Sequence, residues 1–346
     1  MSDNLSDTLV LVTGASGFIA GHCVQTLLAD GYRVRGTVRS LANRAKVGHL
    51  DQLGTAADDR LELVEADLTS DQGWDTAVSG CTYVLHVASP FPSTTPDDEM
   101  ELIGPAVEGT QRVLAACARG GVKRVVLTSS VAAVAYGHAS RPGRALTEED
   151  WSNPDGCEPY AKSKTLAERA AWDLVAALGP EKRFELAVIN PGFVLGPMLS
   201  NVGGTSAELI KRLLKREMPA CPELGWATVD VRDLARAHVL AMTTPAAAGN
   251  RYICAGDNVW LRDMARALSE EFAPLGYRVP TGHLPYWVMW LGARFDKTMR
   301  MTLSGVGRAE QVSNAKARRD LGWKQRDYRE TLVDMGHRAI ELGMLN

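Results

Sequence analysis

The chain has 346 residues, 45% of them hydrophobic and 23% charged, with a formal net charge of -3. That composition excludes a mainly disordered chain, and the near-neutral charge excludes a basic nucleic-acid surface or a polybasic membrane anchor. The length predicts one large or two unequal domains, and no apolar run approaches the ~20 residues of a membrane span.

Residues 1–8 are polar and acidic and lack the charged-then-apolar order of a signal peptide, so the sequence reads as cytoplasmic. A β-branched and Leu run at 8–13 is followed at once by Gly14, and then by apolar residues at helical spacing over 18–28, closed by Asp30-Gly31. Further strands are predicted at 33–38, 61–66, 82–87, 124–128 and 184–189, with helices over 71–78, 99–119 and 158–178. Near-continuous apolar strands alternating with helices predict an α/β fold, a doubly wound parallel sheet of the Rossmann kind. After Pro191 the pattern changes. Residues 192–223 are rich in Gly, Pro, Ser and Met; a helix at 231–242, a strand at 251–254, a helix at 261–272, an aromatic stretch at 282–295 and a last helix at 328–342 follow. The predicted division is a sheet domain over 1–190, to which about 228–254 return, and a smaller C-terminal region of 191–227 and 255–346. Cys23, Cys81, Cys117, Cys157, Cys221 and Cys254 form no Cys-x-x-Cys pair and no cluster with His; they read as reduced thiols, with no metal site expected.

The first strand–turn–helix carries Thr13-Gly14-Ala15-Ser16-Gly17-Phe18-Ile19-Ala20. Gly14 permits the tight turn, and Gly17 opens the helix so that a pyrophosphate can approach its outward amides, with Ser16, Phe18 and Ile19 in the same turn. The spacing is Gly-x-x-Gly-x-x-Ala, and Ala20 backed by Gly21 supplies the small last residue. A site for NAD usually has an acid about 20 residues further on, to hold the ribose hydroxyls. Between Gly31 and Leu50 there is none, whereas Arg33, Arg35, Arg39, Arg44 and Lys46 lie there. Arg39, just past the second strand, suits a 2′-phosphate, which predicts NADPH; the competing reading is a solvated basic face. Asp67-Leu68 follows the third strand, where a carboxylate could accept from an adenine amino group or cap the helix starting near Asp71.

The fifth strand ends Thr128-Ser129-Ser130, and Tyr160-Ala161-Lys162-Ser163-Lys164 lies in a later helix. Tyr160 and Lys164 are i and i+4 and share a face. A Tyr serves as general acid to a carbonyl if an ammonium lowers its pKa from ~10, and Lys164 has the charge and spacing for this. Ser130 can hold the carbonyl oxygen beside Tyr160. Val131, Ala132, Ala133 and Val134 follow, an apolar wall with no acid for sugar dehydration. Phe91, Val131, Met198, Trp226 and the pair Trp287/Trp290 are candidate walls of a substrate pocket; ordinary core is the competing reading for each aromatic.

These residues resemble an extended short-chain dehydrogenase/reductase of the dihydroflavonol reductase-like group, within the NAD-dependent epimerase/dehydratase superfamily. The group includes cinnamoyl-CoA reductases and microbial carbonyl reductases. The matching stretches are VTGASGFIAGH at 12–22, GTVRS at 36–40, EADL at 65–68, HVASP at 86–90, PAVEGT at 105–110, VLTSS at 126–130, YAKSK at 160–164, NPGFVLGP at 190–197, VDVRDLARAH at 229–238 and DLGW at 320–323. The resemblance implies NADP(H), a Ser130-Tyr160-Lys164 triad, and Thr128, Val87, Ala88 and Ser89 at the cofactor, the last three beside its ribose. It implies Asp67 and Leu68 at the adenine, and Pro191, Gly192 and Val194 beside the nicotinamide. It puts Lys46 with Arg39 at the 2′-phosphate, with Arg44 as competitor. Residues 1–190 become the NADP-binding domain, 191–227 with 255–346 the substrate-binding region, and the protein a monomer or homodimer. Gln111-Arg112 stands where the family often has Asn. The expected function is NADPH-dependent reduction of a ketone or aldehyde on a hydrophobic or aromatic small molecule. The alternatives are a sugar-nucleotide epimerase/dehydratase and a non-catalytic NADP-sensing protein.

Overall fold

The computed structural model describes residues 5–56, 60–90, 98–138, 143–201, 204–294 and 303–345. The chain divides into two compact units: Met1–Pro191, Arg232–Cys254 and Ser313–Lys324 form the first, and Gly192–Val231, Ala255–Val312 and Gln325–Asn346 the second. All six cysteines are free thiols. Among the described residues no helix is long and apolar enough to cross a membrane.

The first unit is built on strands β1 (Leu9–Val12), β2 (Arg33–Val38), β3 (Leu61–Glu65), β4 (Tyr83–His86), β5 (Arg124–Thr128) and β6 (Glu185–Pro191). The second unit interposes β7 (Phe193–Leu195), β8 (Cys221–Pro222) and β9 (Gly225–Asp230) before the chain returns with β10 (Asn250–Cys254). The seven strands of the first unit form one parallel sheet in the order β10-β6-β5-β4-β1-β2-β3. β1 has β2 on one side and β4 on the other, so the crossovers leave it in opposite directions and open a crevice beyond the carboxyl ends of β1 and β4. Helices α1 (Phe18–Ala29), α2 (Arg44–Ala56), α3 (Trp74–Val78), α4 (Met100–Gly120) and α5 (Pro159–Ala177) connect the strands. One face of the sheet packs Leu11, Val84, Val125 and Leu186 against Trp74, Leu114 and Ala171. Helix α2 is absent from the sequence expectation. It contains Gly48 and Gly54, and on its described side only Val47 and Leu50 are buried, too short an apolar pattern to read.

Two strand arginines, Arg124 buried and Arg35 half-buried, finish helices. Arg124 at the start of β5 donates to the carbonyls of Ala241, Met242 and Thr244 at 2.9, 3.0 and 2.7 Å, at the end of helix α7 (Val231–Thr243), and pairs with Glu185. Arg35 on β2 does the same for Thr76, Ala77 and Ser79 at the end of α3. Such carbonyls have no partner within their own helix.

At the open edge of β10, the amide of Ile253 donates to Glu148 Oε1 at 2.9 Å, and the helix Ala315–Leu321 lies against the strand, Lys316 Nζ reaching Asn250 Oδ1 at 2.8 Å. Residues 313–324 thus pack with the first unit, not with the C-terminal region to which 255–346 were assigned. The anchor is Trp323, fully buried, whose indole N–H donates to the Asp233 carbonyl at 2.8 Å.

The second unit holds a three-stranded sheet, β11 (Asn258–Trp260) beside β9 beside β7, and a short ladder of β8 with β12 (His283–Leu284). Residues 228–230, expected to return to the sheet domain, belong to β9 of this second sheet instead, where Thr228, Val229 and Asp230 pair with β7. Helix α6 (Thr205–Leu214) falls in the stretch rich in Gly, Pro, Ser and Met, where no element was predicted; Ala207, Ile210, Leu213 and Leu214 form its buried side. Helix α8 (Leu261–Phe272) packs on the last helix, Tyr328–Glu341, so closely that a Cβ on Gly336 would meet Phe272 Cζ at 2.4 Å.

Arg124→Met removes the donors from three helix-end carbonyls at once and is expected to lower the unfolding free energy by about 2–3 kcal/mol. Arg119→Met, which breaks only the exposed pair with Asp75, should cost under about 1 kcal/mol. Urea denaturation of the two variants checks this; equal effects would contradict the capping role of Arg124.

Candidate active site

The turn after β1 is wedged between its neighbours. Gly14 has φ +66, and a Cβ there would meet Ala88 Cβ at 3.0 Å and Ala88 Cα at 3.3 Å. On the other side, a Cβ on Gly36 of β2 would meet Ala15 Cβ at 2.7 Å. The turn is stitched to β2 by Gly14 N–H to Thr37 Oγ1 at 2.9 Å and Ala15 N–H to the Thr37 carbonyl at 2.8 Å. It is stitched to β4 through Thr13 Oγ1, which accepts the Ala88 amide at 2.9 Å and bonds His86 Nδ1 at 2.9 Å. Helix α1 then starts at Phe18 with Gly17 as N-cap and no side-chain cap, leaving first-turn amides for an external anion. Ser16, Phe18 and Ile19 are half-buried around that opening, and Gly17 is exposed.

Arg39 and Lys46 are both exposed. Arg44, the competitor of Lys46, is held by Asp51 in its own helix. Asp67 makes an Asx turn, accepting Thr69 N–H at 2.8 Å and Thr69 Oγ1 at 2.7 Å. These bonds, with help from the Arg39 and Arg112 charges, hold its carboxyl below the usual range. Asp67 is therefore not the cap of α3, whose N-cap is Gly73. The Asp67-Leu68 segment is docked on α4: Arg112 binds the Leu68 carbonyl and Asp71, and a Cβ on Gly109 would meet Leu68 Cβ at 3.0 Å. Arg112, noted in the sequence only as a departure, is what fastens this loop.

Ser130 ends β5 and caps a short helical turn, its Oγ accepting the Ala132 amide at 3.1 Å. The hydroxyl also bonds Tyr160 at the first turn of α5, a residue 38% exposed overall whose hydroxyl end is enclosed by protein. Lys164 Nζ lies 5.8 Å from the Tyr160 ring centroid and donates to Ser89 Oγ at 2.9 Å. The structure brings together Ser130, Tyr160, Lys164 and Ser89, and Ala88 adjoins the Gly14 turn. The electrostatics differ from the expectation of a lowered tyrosine. Burial holds Tyr160 above its usual pKa, the Ser130 bond pulling it partly back, while burial brings Lys164 down to about 8.

The neighbouring polar groups are engaged. His86 is buried and pushed down to about 3, first by burial and then by the Lys164 charge, so it is neutral. His238, likewise buried and pushed down to about 4, donates from Nδ1 to the Leu234 carbonyl at 2.8 Å. Its Nε2 must then accept, so Thr128 Oγ1 donates to it at 2.7 Å, and the Thr128 hydroxyl is turned into the core. Val131 to Val134 are all buried. Val87 is half-buried past β4, and Pro191 is buried at the end of β6.

Of the residues placed in the second unit, Gly192 is required by packing, since a Cβ would lie 2.0 Å from the Ala227 carbonyl oxygen. Val194 sits on β7 opposite Val229. Trp226 is half-buried and stacks on Phe193, centroids 5.1 Å apart. Met198, read as a pocket wall, is only 2% exposed and packs as core. Trp287 and Trp290 are open to solvent, Trp287 at 67%. Phe91 lies outside the described residues.

Residues 10–255 match the pattern of the NAD dependent epimerase/dehydratase family. A cinnamoyl-CoA reductase of Medicago truncatula is 42% identical over 255 residues, 72% of this chain and 76% of that protein. A tetraketide alpha-pyrone reductase of Arabidopsis thaliana is 39% identical over 274 residues, 77% of this chain and 82% of that protein. The structure is similar to that of yeast methylglyoxal/isovaleraldehyde reductase complexed with NADPH, with TM-score 0.79 and 28% identity, covering 98% of this chain and 100% of that one.

In the unliganded protein with lysine Cε labelled, one resonance is expected to titrate near pH 8 and to be missing from Lys164→Met, against about 10.4 for a free lysine. Absence of any resonance titrating near 8 would contradict the desolvated setting of Lys164.

Proposed function

The chain belongs to the NAD dependent epimerase/dehydratase family, as a dihydroflavonol reductase-like short-chain dehydrogenase/reductase, and on that premise we propose that it is an NADPH-dependent reductase of a ketone or aldehyde on a hydrophobic or aromatic small molecule. It acts in the cytoplasm as a monomer or homodimer. The observation that carries the reading is the meeting of Ser130, at the end of β5, with the Tyr160–Lys164 face of α5.

The fit to the dinucleotide rests on the wedged turn. A Cβ at Gly14 would meet Ala88 and one at Gly17 the Gly14 carbonyl oxygen at 3.1 Å, so side chains there would distort the turn that a pyrophosphate would approach, and the uncapped start of α1 supplies amides and a positive dipole end. Arg39 and Lys46 would take the 2′-phosphate and Asp67 the adenine edge. Ser89 and Lys164 would face the nicotinamide ribose, and Pro191, at the end of β6, the nicotinamide itself. When bound, NADPH supplies the hydride.

The protein supplies the position of the carbonyl and its proton. Ser130 Oγ accepts the Ala132 amide and shares its hydroxyl with Tyr160, so an incoming carbonyl oxygen would take over the O–H that serves the tyrosine in the free protein. Tyr160 stays protonated at neutral pH because burial favours its neutral form, which is the form a general acid needs. As it gives up the proton, the Lys164 ammonium stabilises the phenolate that forms. The buried Val131–Val134 segment beside Ser130 supports an apolar substrate. It offers no carboxylate for the sugar-nucleotide reading, and the presence of both Tyr160 and Lys164 argues against a sensor.

Consumption of NADPH with a panel of aromatic and aliphatic aldehydes and ketones tests the proposal; binding without turnover of any would overturn it. Tyr160→Phe should lose most of the turnover, at least about 100-fold, with NADPH affinity near normal. Near-full turnover would exclude Tyr160 as the acid. The kcat/KM for NADPH, which reports the free enzyme, should be flat through neutrality and fall above about 8 as Lys164 loses its proton. Saturating nucleotide should move this limb upward, because the phosphates favour the ammonium. Wild type should prefer NADPH over NADH by at least about tenfold at low salt, and Arg39→Ala should weaken NADPH while leaving NADH nearly unchanged. Equal losses for both would mean that Arg39 does not read the phosphate.

A further inference from the structure

One helical step beyond Tyr160 and Lys164 stands Glu168, so three functional side chains repeat every four residues along one face of α5. The Glu168 carboxylate is completely buried. Its Oε1 accepts Arg251 Nε at 2.5 Å, and its Oε2 accepts Ser129 Oγ at 2.6 Å and Asn190 Nδ2 at 2.8 Å. Asn190 Nδ2 also donates to the carbonyl of Ser130 at 3.1 Å. Arg251 on β10 is almost as buried; it donates to the carbonyls of Glu148 and Asp150 at 2.8 and 2.9 Å and lies 3.7 Å from the Trp151 ring centroid.

Every partner is thus a fixed point of the first unit: the ends of β5 and β6, the edge strand β10, and the loop before α5. The pair is poorly explained as a stability device. Burying two charges costs about as much as their attraction returns, and apolar residues of similar size often do as well. It is also not part of the proton path, because neither group touches Ser130 Oγ or the Tyr160 hydroxyl in the contacts above. What it does connect is the backbone of Ser130 to the helix that carries Tyr160 and Lys164.

We propose that Glu168 and Arg251 are positioning residues that fix the register of α5 on the ends of β5 and β6, and with it the placing of Tyr160 and Lys164 against Ser130. This rests on the reductase reading above. The chemistry is sensitive to such placing, since a shift of about 1 Å can cost on the order of 100-fold in rate.

The test compares wild type with Glu168→Leu/Arg251→Met, which removes both charges together, and with Ser129→Ala, which keeps the ion pair and frees only β5. Both should fold, judged by melting temperature, and both should still bind NADPH, because the Gly14 turn is untouched, with any loss of affinity confined to the contact of Lys164. The double variant should lose at least about tenfold in kcat, and Ser129→Ala a smaller part of that. The Lys164 resonance titrating near pH 8 should shift in the double variant. Wild-type kcat together with an unmoved Lys164 titration, in either folded variant, would overturn the proposal. Should the double variant fail to fold, Ser129→Ala decides by the same two readouts. The Lys164 titration needs no substrate, so the positioning role is tested even where wild type reduces no carbonyl, an outcome that would instead sink the reductase reading.

Discussion

The close approach of three backbones around β1 is the constraint from which the rest of the site follows. Only glycine at 14 and 36 lets the turn after β1 pass between β2 and Ala88. Because the turn is held this tightly, the start of α1 has one position and Ala88 has another. Ser89 follows in the chain, and Lys164 is bonded to it. One steric condition on the sheet thereby connects the Gly14 turn to the helix that carries Tyr160 and Lys164. A methyl group at Gly36 would push on that turn from its β2 side.

Around that frame the first unit keeps its interior polar groups neutral or paired. Histidines 86 and 238 are held uncharged by burial, each in a hydrogen bond to a threonine. The Glu168 carboxylate is surrounded by the Arg251 guanidinium and by neutral donors of Ser129, Asn190 and Trp172. Lys164 is different: it donates to the uncharged hydroxyl of Ser89, and burial alone sets its low affinity for a proton. A strongly desolvated ammonium therefore lies beside Tyr160, a setting that favours an incoming anion.

Much of this was legible in the sequence because it depends on local chemistry. Gly14, Gly17 and the Tyr160–Lys164 spacing are short-range patterns, and the parallel sheet follows from apolar strands alternating with helices. What was not legible depends on long-range partners. Nothing near Arg112 tells that it fastens Leu68, and Asp51 could be seen as the partner of Arg44 only once the helix that holds both was known. Helix α2 has too few apolar residues to announce itself. The residues 313–324 join the first unit through one tryptophan bonded to a carbonyl 90 positions earlier. Tyr160 was expected to be acidified by Lys164; the structure instead desolvates both, and the hydroxyl of Ser89 takes the ammonium. Glu168 carried a faint signal, its place in the same i, i+4, i+8 series.

The two edges of the parallel sheet are closed by different means. At β10 the outward amide of Ile253 is already taken by Glu148, and a helix covers the strand. At β3 the strand is short and sets two exposed carboxylates, Glu62 and Glu65, among its five residues. A second copy meets a covered strand at the first edge and, at the second, carboxylates already engaged by Arg35 and the Leu41 amide. Both edges thus hinder strand addition, which guards concentrated protein against the edge-to-edge annealing that starts β-aggregates.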